Sequence, residues 1–274
     1  MAKGRGGADR GQGPPERRGP DFIGIGAQKC GTSWIGWVLN QHPQVMIRRK
    51  EISFFVRHFH RGYGWYEEWF ADRGEKRAGE ITVSYLYSPR PDPARKQFYP
   101  KWNPRDKLLF WRRDPSAREE IARHYPDVAL FAILRNPIDR AWSHYWFWRR
   151  RKERIGKTGH VVPFRRMFED DGRWIRSQGL YAQQLAPWLE SFPGMGVFFY
   201  DDLKNDPKRL AREVYRCVGV DEGFEPEIAR RVNATDYEPM PREDRALLVE
   251  TYRDDVERLG ELTGRDCRHW LKED

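Results

Sequence analysis

The amino-acid sequence predicts an α/β fold, a three-layer sandwich in which a central, mostly parallel sheet is flanked by helices. The prediction rests on three apolar runs, at residues 22–26, 128–134 and 196–200. Each run is short, consists mainly of apolar residues and leads into a turn or a helix start. Strands that are apolar along their whole length are buried on both faces, which is typical of parallel sheets covered by helices.

The first run, at residues 22–26, leads through a turn into a helix. Residues 27–33 read Ala-Gln-Lys-Cys-Gly-Thr-Ser, and the apolar positions between 34 and 39 follow helical spacing. Strand, turn and helix are therefore predicted in direct succession. A shorter strand is predicted at residues 79–82.

The second and third runs are followed by helix starts of different kinds. After residues 128–134, Pro137 suits the first turn of a helix that we expect to continue to about Trp148. After residues 196–200, the pair Asp201-Asp202 and the dipeptide Asp206-Pro207 indicate further helix starts. These elements complete the alternation of strands and helices on which the fold class depends.

The ends and the middle of the chain depart from this alternation. Residues 1–20 consist largely of Gly, Pro, Arg and Asp, which predicts a disordered arm before a single domain at residues 21–274. Residues 90–116 are rich in Pro, Arg and aromatic residues and are too long for an ordinary connection. This insertion is either a lid, binding loop or interface element, or a tolerated surface excursion.

The composition favours an anionic ligand. Among 274 residues, 50 Lys and Arg face 41 Asp and Glu, for a net charge of +9. Such a balance suits a nucleotide, a nucleic acid, an acidic glycan or a membrane surface, although many basic proteins carry solvated basic faces instead.

Targeting and cysteine patterns predict a cytoplasmic protein with no membrane partner. No apolar run reaches the length of a membrane helix, and the basic N-terminus is not followed by the apolar stretch of a signal peptide. The cysteines, Cys30, Cys217 and Cys267, are far apart and lack metal-type spacing, which indicates reduced thiols.

The turn after the first strand has the chemistry of a phosphate-binding loop. Lys29 supplies a positive charge, and the hydroxyls of Thr32 and Ser33 add hydrogen-bond donors. The amides expected to open the helix toward an anion are those of Gly31, Thr32, Ser33 and Trp34. The helix dipole and the position beyond a strand's carboxyl end strengthen this P-loop-like interpretation.

The same loop does not fit an ATP-dependent kinase. A Walker A loop places its lysine directly after the second glycine, whereas Lys29 comes two residues before Gly31. The strand at 128–134 ends in Arg135 instead of a metal-binding carboxylate. ATP with magnesium is therefore disfavoured, although a Gly-Thr-Ser turn alone is common and carries no chemistry in most proteins.

A second anion site is predicted after the strand at 128–134. Arg135 at the strand end and Ser143 two turns into the helix are placed to face one pocket and hold a phosphate. Asp139 and Arg140, in the same helix, are interpreted as solvated residues.

Two segments resemble the nucleotide-binding motifs of the sulfotransferase family. The segment IGAQKCGTSWIGWVLNQHP resembles the family's 5′-phosphosulfate loop. LRNPIDRAWSHYW resembles its 3′-phosphate motif, R-x-P-x-x-R-x-x-S-x-Y, with every named position filled. Further similarity to the heparan-sulfate-type branch covers residues 50–55, 64–66, 79–80, 181–185, 200–207 and 262–266. The chain is identified as a member of this family, and we expect a soluble bacterial one.

The resemblance implies a donor, a product and a set of contacts. The donor is 3′-phosphoadenosine 5′-phosphosulfate (PAPS), the product is adenosine 3′,5′-bisphosphate, and no metal is required. The 5′-phosphosulfate is expected against Lys29, Cys30, Gly31, Thr32, Ser33 and Trp34. The 3′-phosphate is expected against Arg135 and Ser143, and the adenine near residues 233–241, where the family's late cofactor loop falls.

Sulfuryl transfer needs a base and a cation at the reaction centre. In-line transfer builds negative charge on the leaving oxygen, and Lys29 is expected to stabilise that charge. The resemblance gives Glu51, in Lys-Glu-Ile-Ser-Phe-Phe, as the general base, and the adjoining phenylalanines predict an apolar wall that raises its pKa. His58 or His60 is the alternative base, whereas His42 is expected to close the first helix.

The acceptor is expected to be a hydroxyl or amine of a small molecule or glycan. Candidate acceptor contacts are Lys50, Phe54, Trp65 and Tyr85. The related branch commonly has lysine where this chain has Ile81, so Lys50 or an arginine of the insertion is expected to substitute.

Two alternatives stay open at this point. A non-catalytic nucleotide- or RNA-binding protein would use the basic run Arg-Arg-Arg-Lys-Glu-Arg at residues 149–154. We interpret this run as the solvated end of a helix and expect no nucleic-acid partner. A P-loop kinase is the other alternative, disfavoured by the position of Lys29.

Overall fold

The computed structural model describes residues 19–87, 116–154, 156, 162–171, 174–228 and 237–272. The predicted arm, residues 1–20, and the predicted insertion, residues 90–116, lie almost wholly outside these ranges.

A five-stranded sheet forms the centre of the described region, as the sequence predicts. Its strands are β1 Phe22–Gly26, β2 Val45–Met46, β3 Arg77–Ile81, β4 Ala129–Leu134 and β5 Gly196–Phe199. The strand order is β2-β3-β1-β4-β5, and every neighbouring pair is parallel. All five residues of β1 are buried, because helices cover both of its faces. The P-loop-like α/β class is therefore confirmed.

Nine α-helices accompany the sheet within the described residues. They are α1 Thr32–Gln41, α2 Gly62–Glu67, α3 Ala117–His124, α4 Pro137–Arg154, α5 Phe164–Glu169, α6 Tyr181–Ser191, α7 Tyr200–Asn205, α8 Pro207–Val218 and α9 Arg242–Thr263. Shorter helical turns occupy Phe54–His58, Phe59–Arg61, Glu68–Phe70, Ser177–Gly179 and Arg268–Leu271. Helix α1 packs against α8, and α9 packs against α4 and α6. The buried apolar side chains form one continuous cluster.

Helix α4 differs from its prediction at two points. It continues to Arg154, six residues beyond the expected end, so the basic run 149–154 is helical. Arg140, predicted to be solvated, is fully buried. Its guanidinium donates to the carbonyl of Ile175 and lies 3.2 Å from Nδ1 of His144. The solvated interpretation is wrong because α9 and the turn at Ser177–Gly179 pack against this helix.

Candidate active site

The loop between β1 and α1 ends in a glycine whose backbone other residues rarely adopt. Gly31 caps α1 with φ of 99°, and its carbonyl accepts from the amides of Trp34 at 2.9 Å and Ile35 at 3.2 Å. A side chain here would also meet the ring of Tyr200, since an added Cβ would lie 3.0 Å from Cδ2. The Trp34 amide is therefore occupied, contrary to the predicted anion contact.

Two lysines converge on this loop. Within the described residues, no carboxylate pairs with Lys29, whose Nζ lies 4.8 Å from the centroid of the Phe147 ring. Nζ of Lys50 donates to Oγ of Ser33 at 2.8 Å and to Oγ1 of Thr32 at 3.3 Å. Burial, followed by the charge of Arg135, lowers the pKa of Lys29, and burial also lowers that of Lys50. The loop is thus an electropositive centre, in which Glu51 partly offsets the charge of Lys50.

The end of β4 supplies a third cation. The guanidinium of Arg135 lies 4.9 Å from the Tyr200 ring centroid, and Nη2 donates to the hydroxyl of Tyr237 at 3.3 Å. Its Nε is buried and has no hydrogen-bond partner in the described region, although Nη2 also lies 3.8 Å from Asp139. Ser143, two turns along α4, is buried. An unsatisfied buried donor on a cation is what a missing anionic ligand would leave.

Tyr200 and Tyr237 were not among the predicted site residues. Tyr200 starts α7 directly after β5, so it lies at the same carboxyl edge as the loop. Its place as the last residue of the predicted strand 196–200 was the available signal. Tyr237 belongs to the stretch 233–241 expected near the adenine, of which residues 233–236 lie outside the described residues.

Glu51 is held beside the end of β3. Its amide donates to the carbonyl of Ile81 at 2.9 Å, and its Oε2 accepts from the amide of Val83 at 3.3 Å. Its φ of 61° is strained for a residue other than glycine. Burial raises the pKa of the Glu51 carboxyl, and the charge of Lys50 opposes that rise. A partly buried carboxylate of raised pKa is suited to accept a proton near neutral pH.

A second carboxyl, Glu80, lies beneath this segment and is fully buried. Its Oε1 accepts from the hydroxyls of Tyr66 and Tyr85, both at 2.8 Å, and its Oε2 accepts from Thr82 at 2.6 Å. Thr82 Oγ1 in turn accepts from the amide of Ser53 at 3.1 Å. Burial raises the pKa of Glu80 to about 7. The network therefore ties residues 51–53 to the end of β3, a role that the Gly-Glu pair at 79–80 did not reveal.

The four predicted acceptor contacts divide into two groups. Phe54 and Tyr85 are fully buried, with Phe54 stacked 4.5 Å from Tyr66 and Tyr85 bonded to Glu80. Both rings belong to the core, so their prediction as acceptor contacts requires correction. Lys50 and Trp65 remain partly exposed.

The histidines do not form an alternative pair on an extended strand. His58 and His60 lie in consecutive helical turns with ring centroids 6.3 Å apart. Burial lowers the pKa of His58. The amide of His42 bonds to the carbonyl of Leu39 at 3.1 Å, so His42 closes α1 as expected.

Ile81 occupies the position where related enzymes are expected to carry lysine. Ile81 and Lys50 line the same pocket, and Nζ of Lys50 reaches the loop hydroxyls. Of the two predicted substitutes, Lys50 is thus placed at the centre, whereas the insertion lies outside the described residues.

These features define a class before they define a family: an α/β fold with cationic side chains, Lys29, Lys50 and Arg135, gathered at the carboxyl edge of a parallel sheet. The chain belongs to the sulfotransferase family, since the Sulfotransferase domain matches residues 19–254. The family takes its name from sulfuryl transfer.

Relatives of known name come from several organisms. Heparan sulfate glucosamine 3-O-sulfotransferase 6 of Homo sapiens is 27% identical over 286 residues, which cover 93% of this chain and 75% of that protein. Membrane-associated sulfotransferase kil1 of Dictyostelium discoideum is 24% identical over 317 residues, covering 91% and 66%. Bifunctional heparan sulfate N-deacetylase/N-sulfotransferase 4 of Mus musculus is 23% identical over 302 residues, covering 93% and 31%.

The chain therefore spans about two thirds of the Dictyostelium protein and less than a third of the mouse enzyme. Among solved structures, a sulfotransferase from Alicyclobacillus acidocaldarius matches with a TM-score of 0.68 and 26% identity, covering 92% of this chain and 99% of that one. None of the helices described here is long and apolar enough to cross a membrane.

Proposed function

We propose that this protein transfers a sulfuryl group from PAPS to a hydroxyl or amine of a small molecule or glycan, with Glu51 as general base. The observation that carries the proposal is the pair of cationic groups at one edge of the sheet, Lys29 after β1 and Arg135 after β4. Lys29 lacks a carboxylate partner among the described residues, and Arg135 keeps an unsatisfied buried Nε. A nucleotide with anionic groups at both ends suits this arrangement.

The donor brings a sulfuryl group already activated for in-line transfer. Lys29 and Lys50 are positioned to stabilise negative charge as it develops on the leaving oxygen. The amides of Thr32 and Ser33, which have no acceptor within the described residues, add donors at the start of α1. Arg135, Tyr200 and the buried Ser143 would hold the 3′-phosphate end.

The acceptor side supplies the base. Glu51 is oriented by the Val83 amide, and its raised pKa keeps it basic enough to take the acceptor proton at neutral pH. The 51–53 segment is fixed by Thr82 and Glu80, which limits the rearrangement needed before transfer. A cytoplasmic location and a single domain at 21–274 remain predictions.

Two measurements test the proposal. Calorimetry should show binding of adenosine 3′,5′-bisphosphate that exceeds binding of ATP with magnesium or of an oligonucleotide. Labelled PAPS should then transfer its label to members of an acceptor panel containing phenols, amines and sugars. Oligonucleotide binding that exceeds bisphosphate binding would instead favour the nucleic-acid alternative.

A further inference from the structure

We propose that the pocket between α1 and residues 47–50 binds the acceptor, and that this acceptor is a compact hydroxylated aromatic compound carrying an acidic group. The inference rests on the proposed function and names the substrate class of that site. The pocket has a volume of about 310 Å³, and its lining includes Ser33, Trp37, Ile47, Arg49, Lys50 and Ile81.

The position of the pocket connects it to the reaction centre. Ser33 and Lys50 line the pocket. Nζ of Lys50 donates to Oγ of Ser33, a residue of the phosphate loop, at 2.8 Å. Glu51 follows Lys50 directly, and its amide bonds to the carbonyl of Ile81, which also lines the pocket. A molecule in the pocket therefore contacts Ser33 of the loop and Lys50, the residue that directly precedes the proposed base.

The size and walls of the pocket favour a flat ring. Small-molecule pockets span about 300–1,000 Å³, so this one holds one or two rings and not a polymer segment. Trp37 and Ile47 form partly exposed apolar walls over buried Ile81. A sugar would bring many hydroxyls that need hydrogen-bond partners on burial, whereas the neutral polar side chains in this lining are those of Ser33 and Asn40. Removing an aromatic ring from water costs less free energy than removing a sugar, and the ring can stack against Trp37.

The charge of the rim favours an acidic substituent. Of three adjacent cations, Arg48 pairs with Asp72 at 2.9 Å, and Lys50 contacts the loop hydroxyls. The guanidinium of Arg49 lies 5.2 Å from the Trp69 ring centroid, and no carboxylate of the described residues pairs with it. An exposed arginine with its donors available suits a carboxylate, phosphate or sulfate on the bound molecule.

Gly36 keeps the pocket open from the helix side. A Cβ there would lie 3.4 Å from Cδ1 of Ile81 and 4.0 Å from Cδ of Lys50, which is ordinary contact. Glycine within a helix is less favourable than alanine, so alanine should be tolerated by the fold. A leucine at the same position would extend into the space between α1 and Lys50.

The test is calorimetric titration of the protein with para-hydroxyphenylacetate and with its methyl ester, in the absence and presence of adenosine 3′,5′-bisphosphate. We expect the acid to bind about tenfold more tightly than the ester, as a charge-assisted contact predicts. Arg49→Gln should abolish that preference, whereas Lys76→Gln, which removes an exposed charge outside the pocket, should preserve it. Gly36→Leu should weaken acid and ester alike without changing bisphosphate affinity, and Gly36→Ala should have a smaller effect.

The inference is overturned by any of three results. These are equal affinity for acid and ester, a preference intact in Arg49→Gln, and tighter binding of a glucuronate–glucosamine disaccharide than of the phenol. Failure of the proposed function looks different, because the bisphosphate would not bind and no acceptor of the panel would be sulfated. Retained bisphosphate affinity in Gly36→Leu shows that the variant is folded.

Discussion

The two sides of the phosphate loop carry opposite kinds of chemistry. On the donor side, at the ends of β1 and β4, Lys29 and Arg135 present positive charge with little compensation from described carboxylates. On the acceptor side, at the end of β3, two carboxyls of raised pKa lie close together, Glu51 and Glu80. Neighbouring strand ends thus carry the cations proposed to bind an anion and the carboxylate proposed to accept a proton.

A substitution of Glu51, on the acceptor side, is expected to have the largest effect on turnover. Glu51→Gln keeps the shape of the side chain but removes its basicity, so turnover should fall by about 10²–10⁴-fold while donor affinity persists. Because activity requires the carboxylate form, wild-type turnover should fall as pH drops through the raised pKa of Glu51, and the variant should lose this acidic limb. Steady-state rates across pH, together with calorimetry of bisphosphate binding, measure both effects.

A control distinguishes the two candidate bases. Substitution of His58 or His60 by glutamine should leave the rate nearly unchanged. If instead a histidine variant loses turnover and Glu51→Gln retains it, the base lies on the helical turns at 54–61 and the division between the two sides must be redrawn.

The donor side is expected to respond to removal of its charge. Lys29→Met keeps much of the side-chain volume but loses the ammonium, so kcat should fall by about 10²–10³-fold and donor binding should weaken. Lys76→Met is the matched control, because Lys76 is exposed and lies outside the proposed donor and acceptor sites. Near-normal turnover in Lys29→Met would remove the loop from the mechanism.

Ionisation of the buried Glu80 carboxyl should appear in the pH dependence of the free energy of unfolding. The pKa of Glu80 rises from 4.5 to about 7 on folding. The contribution of its protonated form to the free energy of unfolding is therefore complete below about pH 4.5 and is lost as pH rises through about 7. At about 1.4 kcal/mol for each pKa unit, the free energy of unfolding should fall by roughly 3 kcal/mol across that window.

Glu80→Gln cannot ionise and keeps an oxygen for both tyrosine hydroxyls, so it should lack this fall. Denaturant unfolding at about pH 5 and about pH 8 measures the difference, with exposed Glu75→Gln as the control. A pH slope shared equally by the variant and the wild type would show that Glu80 is not the titrating group.

The smallest effect is expected at the 3′-phosphate end. Arg135→Ala should weaken the binding of adenosine 3′,5′-bisphosphate by about 1.5–3 kcal/mol, because it removes a charge-assisted contact with the 3′-phosphate. The binding of adenosine 5′-phosphate, which lacks that phosphate, should be nearly unaffected. Ser143→Ala should have the same selectivity with a smaller loss. Equal weakening of both nucleotides would assign these residues to the fold and not to phosphate recognition.

Donor-side features were predictable because they follow strands of clear pattern. Arg135 directly follows β4, Gly31 comes five residues after β1, and parallel strands bring their carboxyl ends to one edge. Arg140 was misinterpreted because a charge in a helix is ordinarily solvated, and burial by α9 is a tertiary effect that local pattern does not encode.

The acceptor side was harder to predict for a different reason. Strand β2 has two residues and no periodicity to detect. Phe54 and Tyr85 resemble binding residues in sequence, yet Phe54 stacks on Tyr66 and Tyr85 bonds to Glu80. Glu80 also bonds to Tyr66, which lies 14 residues earlier in the chain. The pocket beside Gly36 likewise arises from the packing of α1 against residues 47–50, which no single segment reveals.

The position of Lys50 has a thermodynamic consequence for how the two ligands interact. Its ammonium contacts Thr32 and Ser33 of the loop, while its chain lines the pocket beside Ile81. A group shared by two sites couples their occupancy, and such coupling is reciprocal. We therefore expect a donor nucleotide to change the affinity for an acceptor by the same factor by which the acceptor changes the affinity for the nucleotide, whichever binds first.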